Sequence, residues 1–218
     1  MSADKKRLPG TDFIPYTPGL GHDGMLQAYK SWAGNYEKAM GTSYRGPEMA
    51  ALTAARYFSK ADRCSIRVLD IGAGTGMVGR HLADLGFLNI EALDPCSEML
   101  QKAKSKGVYK EYHQELLDHP TPGIPNDAYD LVISCGAMGE NHIPCSALTE
   151  MIRITRKGGH VCIAMREEYL RTAEQYRDKL EPLMDKLEAD GVWVYREKSL
   201  LPNYCSNKMG VVYVYKVL

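Results

Sequence analysis

From Asp70 to Gly79 the chain reads Asp-Ile-Gly-Ala-Gly-Thr-Gly-Met-Val-Gly, and two chemistries compete for it. Gly74, Gly76 and Gly79 have the G-x-G-x-x-G spacing of a dinucleotide turn, where bare amides and a helix N-terminus take a pyrophosphate. Asp70 with Gly72, Gly74 and Gly76 forms a different set, an acid beside a turn open to close backbone approach. A carboxylate facing a pyrophosphate repels it, whereas the ammonium of an amino-acid moiety is attracted. The acid therefore argues against a dinucleotide and for S-adenosylmethionine, and Gly79 is left as a packing glycine one turn into the helix. Asp94 closes the next apolar segment, where an acid can accept both hydroxyls of a ribose; that serves either ligand.

Those residues need a frame that brings strand ends together, and the hydrophobic pattern supplies one. Ile66–Ile71, Asn89–Leu93, Val108–His113, Leu131–Cys135 and His160–Met165 read as short strands. Between them lie helical faces: Val78, Leu82 and Leu85, ended by Gly86; Met99, Leu100 and Ala103, ended by Gly107; and Leu148, Met151, Ile152 and Thr155, ended by Gly158-Gly159. Strand–helix alternation implies a mostly parallel sheet with helices on both faces. A long stripe from Tyr169 to Leu187, interrupted by Pro182, predicts a kinked helix or a pair. Trp193–Glu197 and Val211–Val217, joined by a Pro/Asn loop, predict an antiparallel hairpin at one edge. Upstream, residues 1–24 are dense in Pro and Gly and read as an irregular arm. A helical stripe starts at Met25 and runs through Leu26, Tyr29, Trp32, Tyr36 and Met40. Another helix is expected from Pro47, with Ala50, Ala51, Ala54 and Tyr57 on one face. Residues 25–218 are read as a single domain, with about 25–60 as a helical lid.

Composition removes several function classes. The 27 basic and 27 acidic residues balance, with no basic block to support nucleic-acid binding. No apolar run approaches the roughly 20 residues of a membrane span, and the charged start carries no secretory h-region. Six scattered cysteines, without C-x-x-C pairs or His/Cys metal spacing, fit reduced thiols in the cytoplasm. No metal site is expected, and the sequence leaves the oligomeric state open.

The stretches VLDIGAGTG, LDPCSEML, YDLVISCGAM and ITRKGGHVCIAM follow one another in the order and spacing of class I S-adenosylmethionine-dependent methyltransferases, and the chain resembles that family from about Tyr29 to its end. More narrowly, YKSWAGNYEKAMGTSYRGPEMA, KGVYKEY and GAMGENHIPCSALTEMIRITRKGG resemble the methyltransferase-like subfamily named for the Williams–Beuren syndrome chromosomal region. The resemblance implies an α/β fold, a Rossmann-like seven-stranded sheet whose last strand is antiparallel. It implies S-adenosylmethionine as cofactor and S-adenosylhomocysteine as product.

Carried over by position, Asp70 and Gly72 would serve the amino-acid end of the cofactor, Gly74 would approach its sugar and Asp94 would hold the ribose hydroxyls, with Ala73 and Gly76 as cofactor-binding residues of the same turn. Pro95 and Met99 would flank adenine. The family's adenine contact after the third strand falls on Gln114, Glu115 or Leu116, since His113-Gln114-Glu115-Leu116 departs from the commoner G-D-A pattern. Cys135 and Gly136 would border the methionine portion. Tyr29, Trp32 and Tyr36 match a lid helix, though the same stripe also suits packing on the sheet. Methyl transfer asks for alignment, desolvation and removal of a proton, without a nucleophilic side chain or metal. The candidate catalytic groups are His142, Glu140 and Tyr36; His142 could equally order its own loop. Tyr16, Tyr44, Met138, His142 and Arg166 are the candidate substrate contacts. With no large inserted domain, the expected acceptor is a small molecule, methylated at N, O or S. A non-catalytic cofactor-binding protein of the same fold, or less readily an NAD-dependent oxidoreductase, remains as the alternative.

Overall fold

A computed structural model describes residues 14–117 and 120–218. The first thirteen residues of the expected arm lie outside that range.

Seven strands form one sheet: β1 (Arg67–Ile71), β2 (Asn89–Leu93), β3 (Tyr109–His113), β4 (Tyr129–Cys135), β5 (Thr155–Arg166), β6 (Trp193–Cys205) and β7 (Lys208–Val217). Their order is β3-β2-β1-β4-β5-β7-β6. The first five run parallel, and β7 is inserted antiparallel to both β5 and β6. Val68, Leu69, Val132 and Ile133 are wholly or almost wholly buried, as a sheet covered on both faces requires.

Eight α-helices, with short 3-10 helices at Ile14–Tyr16 and Gly41–Ser43, complete the described chain: α1 (Gly21–Trp32), α2 (Tyr36–Met40), α3 (Gly46–Ala55), α4 (Met77–Asp84), α5 (Ser97–Lys104), α6 (Ala147–Ile154), α7 (Tyr169–Thr172) and α8 (Leu180–Ala189). α3, α4 and α5 share one core with Val68, Ile133 and Val212, while α6 and α8 share the other with Leu69, Val132 and Tyr213. The strand order reverses between β1 and β4. Such a reversal opens a crevice beyond the carboxyl ends of those strands, which is where the glycine turn lies.

Four boundaries depart from the sequence expectation, each for a local reason. α1 begins at Gly21, inside the expected arm, and the turn through Gly34 splits the lid stripe into α1 and α2. α6 stops at Ile154 because Thr155 already pairs with Tyr129; the pairing then skips to His160, so Gly158-Gly159 sit in a bulge of β5. The stripe after Tyr169 breaks at 173–179, where Asp178 adopts φ 57°. Pro182 falls in the first turn of α8, where its missing N–H costs no helical hydrogen bond. Finally, β6 runs through Pro202, tolerated on an edge strand, and the hairpin turns at Ser206-Asn207, both with positive φ.

Among the described residues no helix is long and apolar enough to cross a membrane, and no group of His, Cys, Asp or Glu could hold a metal ion. All six cysteines are unpaired.

Candidate cofactor cleft and acceptor cavity

The glycine turn is pinned to the end of β2. Gly72 and Ala73 donate their amides to the Leu93 carbonyl at 2.8 and 3.1 Å. Gly72 has φ 66°, and a Cβ there would stand 2.3 Å from that of Ala137, so the turn tolerates no side chain at this point. Asp94 completes the clamp: one carboxylate oxygen accepts from the Gly74 amide and the other from the Cys96 amide, both at 2.8 Å. Burial pushes the Asp94 carboxyl up to about 6, against the opposing pull of those two amides. Each oxygen keeps acceptor capacity toward the cleft.

Asp70 departs from the expected direct contact with ligand. It does not line the cleft; it is fully buried and accepts a 2.6 Å hydrogen bond from the Tyr109 hydroxyl, while Oδ1 has no partner. Gly79 accounts for this arrangement. Its amide donates to the Tyr109 hydroxyl at 3.2 Å, and a Cβ on it would come within 2.3 Å of that oxygen. Gly79 therefore makes room for the tyrosine beneath the loop, and a pyrophosphate turn is not needed to explain it.

The cleft runs from this turn under the lid. Of the expected cofactor residues, Tyr29, Gly72, Gly74, Asp94, Pro95, Met99, Leu116, Cys135 and Gly136 line it. Trp32, Asp70, Ala73, Gly76 and Glu115 do not; Glu115 is exposed, and Leu116 faces the cleft in its place. Met25 and Leu26 on α1, with Leu117 and Ile143, join the apolar wall without having been named as cofactor contacts in the sequence. Met25 and Leu26 share the stripe of Tyr29, which was their signal.

A second, smaller cavity adjoins the first, and Tyr29, Tyr36 and Gly136 line both. Tyr16, Tyr44, Met138 and Arg166 line the second, together with Trp32, Tyr169 and Tyr204. Tyr169 and Tyr204 could not be assigned from sequence, because they arrive from a helix after β5 and from the end of β6. Gly136, at φ 73°, leaves space for the Tyr44 hydroxyl, which would otherwise lie 2.2 Å from a Cβ.

At the join of the cavities sits a polar chain. The Glu140 carbonyl can only accept, so His142 Nδ1, 2.6 Å away, carries the hydrogen. His142 Nε2 is then the bare nitrogen and accepts from the Tyr29 hydroxyl at 2.8 Å. The Tyr16 hydroxyl donates to the Gly136 carbonyl at 2.8 Å and lies 3.4 Å from that of Tyr29. Burial drives the His142 pKa down to about 4, so the ring is neutral near pH 7. Glu140 contributes its backbone carbonyl to this chain. Asn141 latches the lid over the site, accepting from the Gly21 amide and donating to the carbonyls of Pro15 and Thr17.

Residues 42–201 match the family model described as a methyltransferase domain. Human methyltransferase-like protein 27 is 30% identical over 77% of this chain and 67% of its own length. A Cereibacter sphaeroides phosphatidylethanolamine N-methyltransferase is 28% identical over 65% of this chain and 67% of its own. Among solved structures, a chain from the complex between the Haloferax volcanii Trm112 methyltransferase activator and its methyltransferase superposes with a TM-score of 0.64. It is 18% identical, with 87% of this chain and 97% of that one covered, a likeness of fold alone.

Proposed function

The chain belongs to the methyltransferase-domain family, a group of S-adenosylmethionine-dependent enzymes, and from that premise we propose that it methylates an N, O or S atom of a small molecule by in-line displacement. The observation that carries the cofactor part is the charge of the cleft. Asp94 is the one charged side chain lining it among the described residues, set beside the glycine turn in an otherwise apolar and aromatic cleft. A ribose diol suits the Asp94 carboxylate, and the apolar slot of Leu93, Pro95, Met99 and Leu116 suits an adenine ring.

When bound, S-adenosylmethionine supplies an electrophilic methyl carbon and keeps the C–S electron pair, leaving as S-adenosylhomocysteine. Gly72 and Gly74 would let the backbone approach it, while Ala73 and Gly76 hold the shape of the turn. Cys135 and Gly136 would border its methionine end. The lid, with Tyr29 and Tyr36, excludes water from the join of the two cavities. For an acceptor that must lose a proton, the Tyr29 oxygen takes it while Tyr29 passes its own hydrogen to His142 Nε2. Glu140 holds the ring in the tautomer that makes this transfer available. Tyr16, Tyr44, Met138 and Arg166 would surround the acceptor. The six unpaired cysteines suit a reducing compartment such as the cytoplasm.

Calorimetry with S-adenosylmethionine, S-adenosylhomocysteine and NAD tests the reading. Both adenosyl compounds should bind, and Asp94→Ala should abolish that binding without altering the thermal unfolding profile's cooperativity. Tight binding of NAD, or wild-type affinity in the Ala variant, would sink it.

A further inference from the structure

The glycine turn is strung between Asp70, near the end of β1, and Gly79, in the first turn of α4, and one oxygen holds both. The Tyr109 hydroxyl donates to Asp70 Oδ2 at 2.6 Å and accepts from the Gly79 amide at 3.2 Å. Tyr109 belongs to β3, the outer strand, so its ring crosses β2 to reach β1. Level with Asp70 on β2 is Ala92, which shares a core with Tyr109, so β2 presents a methyl group where the ring passes. Burial and the Asp70 carboxyl drive the Tyr109 pKa well above its ordinary value, so the hydroxyl keeps its hydrogen and remains a donor. The turn is shaped to this side chain. Gly76, at φ 87°, passes over the ring, and a Cβ there would stand 2.9 Å from a ring carbon of Tyr109. The Leu93 carbonyl and Asp94 tie the front of the turn to β2, while Tyr109 ties its two ends to β3.

Resting on the S-adenosylmethionine reading above, we propose that Tyr109 is the positioning residue of the cofactor turn: by joining Asp70 to Gly79, its phenol oxygen holds the backbone of residues 72–76 in the shape that receives the cofactor. Tyr109 does not line the cleft, so it acts through the turn and makes no contact with the ligand. A segment with glycines at 72, 74 and 76 has unusual backbone freedom to lose. A turn already held in one shape binds without that ordering cost, and a loosened one meets it at every binding event. The hydroxyl is thus a device for preorganisation, placed one layer beneath the site.

Two tyrosines make a matched comparison. Tyr109→Phe keeps the ring beneath Gly76 and removes the oxygen. Tyr129→Phe removes a hydroxyl that donates to the Glu91 carboxylate at 2.7 Å, equally buried but away from the turn. S-adenosylhomocysteine is titrated calorimetrically into each full-length protein at a temperature where it is fully folded. Both variants should unfold at lower temperature than the wild type, but Tyr109→Phe alone should weaken binding, by roughly ten-fold or more. Amide hydrogen exchange in the ligand-free Tyr109→Phe protein should quicken over residues 70–79 and hold steady in β4 and β5. Gly79→Ala supplies a second variant: alanine favours the helix, yet its methyl drives the phenol off Asp70, and binding should weaken likewise. Wild-type affinity in Tyr109→Phe, or an equal loss of affinity in Tyr129→Phe, overturns the proposal, as does faster exchange spread evenly over the sheet. Failure of S-adenosylhomocysteine to bind the wild-type protein would instead overturn the cofactor reading on which the proposal rests.

Discussion

Asp70 is a buried acid whose ionisation the fold opposes, and replacing it by Asn should expose that opposition as a pH dependence. The carboxyl is pushed up from an ordinary 3.8 to about 7, first by burial and further by the Asp94 charge, with the Tyr109 hydroxyl pulling the other way. Below pH 4 it is protonated in both folded and unfolded chains. Between 4 and 7 the unfolded chain gives up its proton while the folded one retains it, so stability falls as pH rises through this window. At about 1.36 kcal/mol for each ten-fold difference in proton affinity, the loss reaches about 4 kcal/mol once pH exceeds 7. Asn cannot titrate and escapes that loss. It places a donor where Oδ1 has no partner, a pH-independent cost of about 1–3 kcal/mol. Asp70→Asn should accordingly be the less stable protein at pH 5 and match or exceed the wild type at pH 8. Urea denaturation of both ligand-free proteins at pH 5, 6, 7 and 8 measures the difference, in which titrating groups that do not face Asp70 cancel, while Asp94, whose charge acts on Asp70, adds a smaller change of its own. A difference that stays flat across this range would refute the reasoning, showing that Asp70 ionises freely in the folded chain.

Three further outcomes follow from the polar chain and the latch. Tyr29→Phe should slow methyl transfer to a protic acceptor by roughly 10²–10⁴-fold while S-adenosylhomocysteine affinity holds, and because His142 acts as a neutral base held at about 4, the wild-type rate at S-adenosylmethionine concentrations that saturate the Asp94 site at every pH should fall only as pH drops toward 4. Single-turnover rates across pH 4–8 check both; a loss of rate centred near 6.5 would contradict the buried-histidine account. Asn141→Gly keeps the left-handed backbone at φ 63° but removes three hydrogen bonds to the lid, loosening it by about 1–2 kcal/mol. Limited proteolysis should then cut between residues 14 and 35 faster than in the wild type, and unchanged cleavage would show that the latch is dispensable.

The parallel sheet and its order of elements were legible because they rest on local pattern. Short apolar runs such as Leu131–Cys135 and helix faces such as Val78, Leu82 and Leu85 reveal themselves within a few residues, and glycines mark their ends. Asp94 was placed for the same reason: a residue at the end of a strand beside a glycine turn has few places to point. Asp70 was not so constrained. Its direction was decided by Tyr109, thirty-nine positions away, whose hydroxyl fits under the loop because Gly79 has no side chain. The termini of α6, α8 and β6 likewise followed from strand pairing and bulges that no local window contains. The second cavity shows the division most sharply. Tyr16, Tyr44 and Arg166 could be nominated from their positions near loop ends, but Tyr169 and Tyr204 join them only after β5, β6 and the lid have converged. Periodicity within a segment tells which face is buried; which distant side chain meets it depends on packing between segments, and that is settled only in three dimensions.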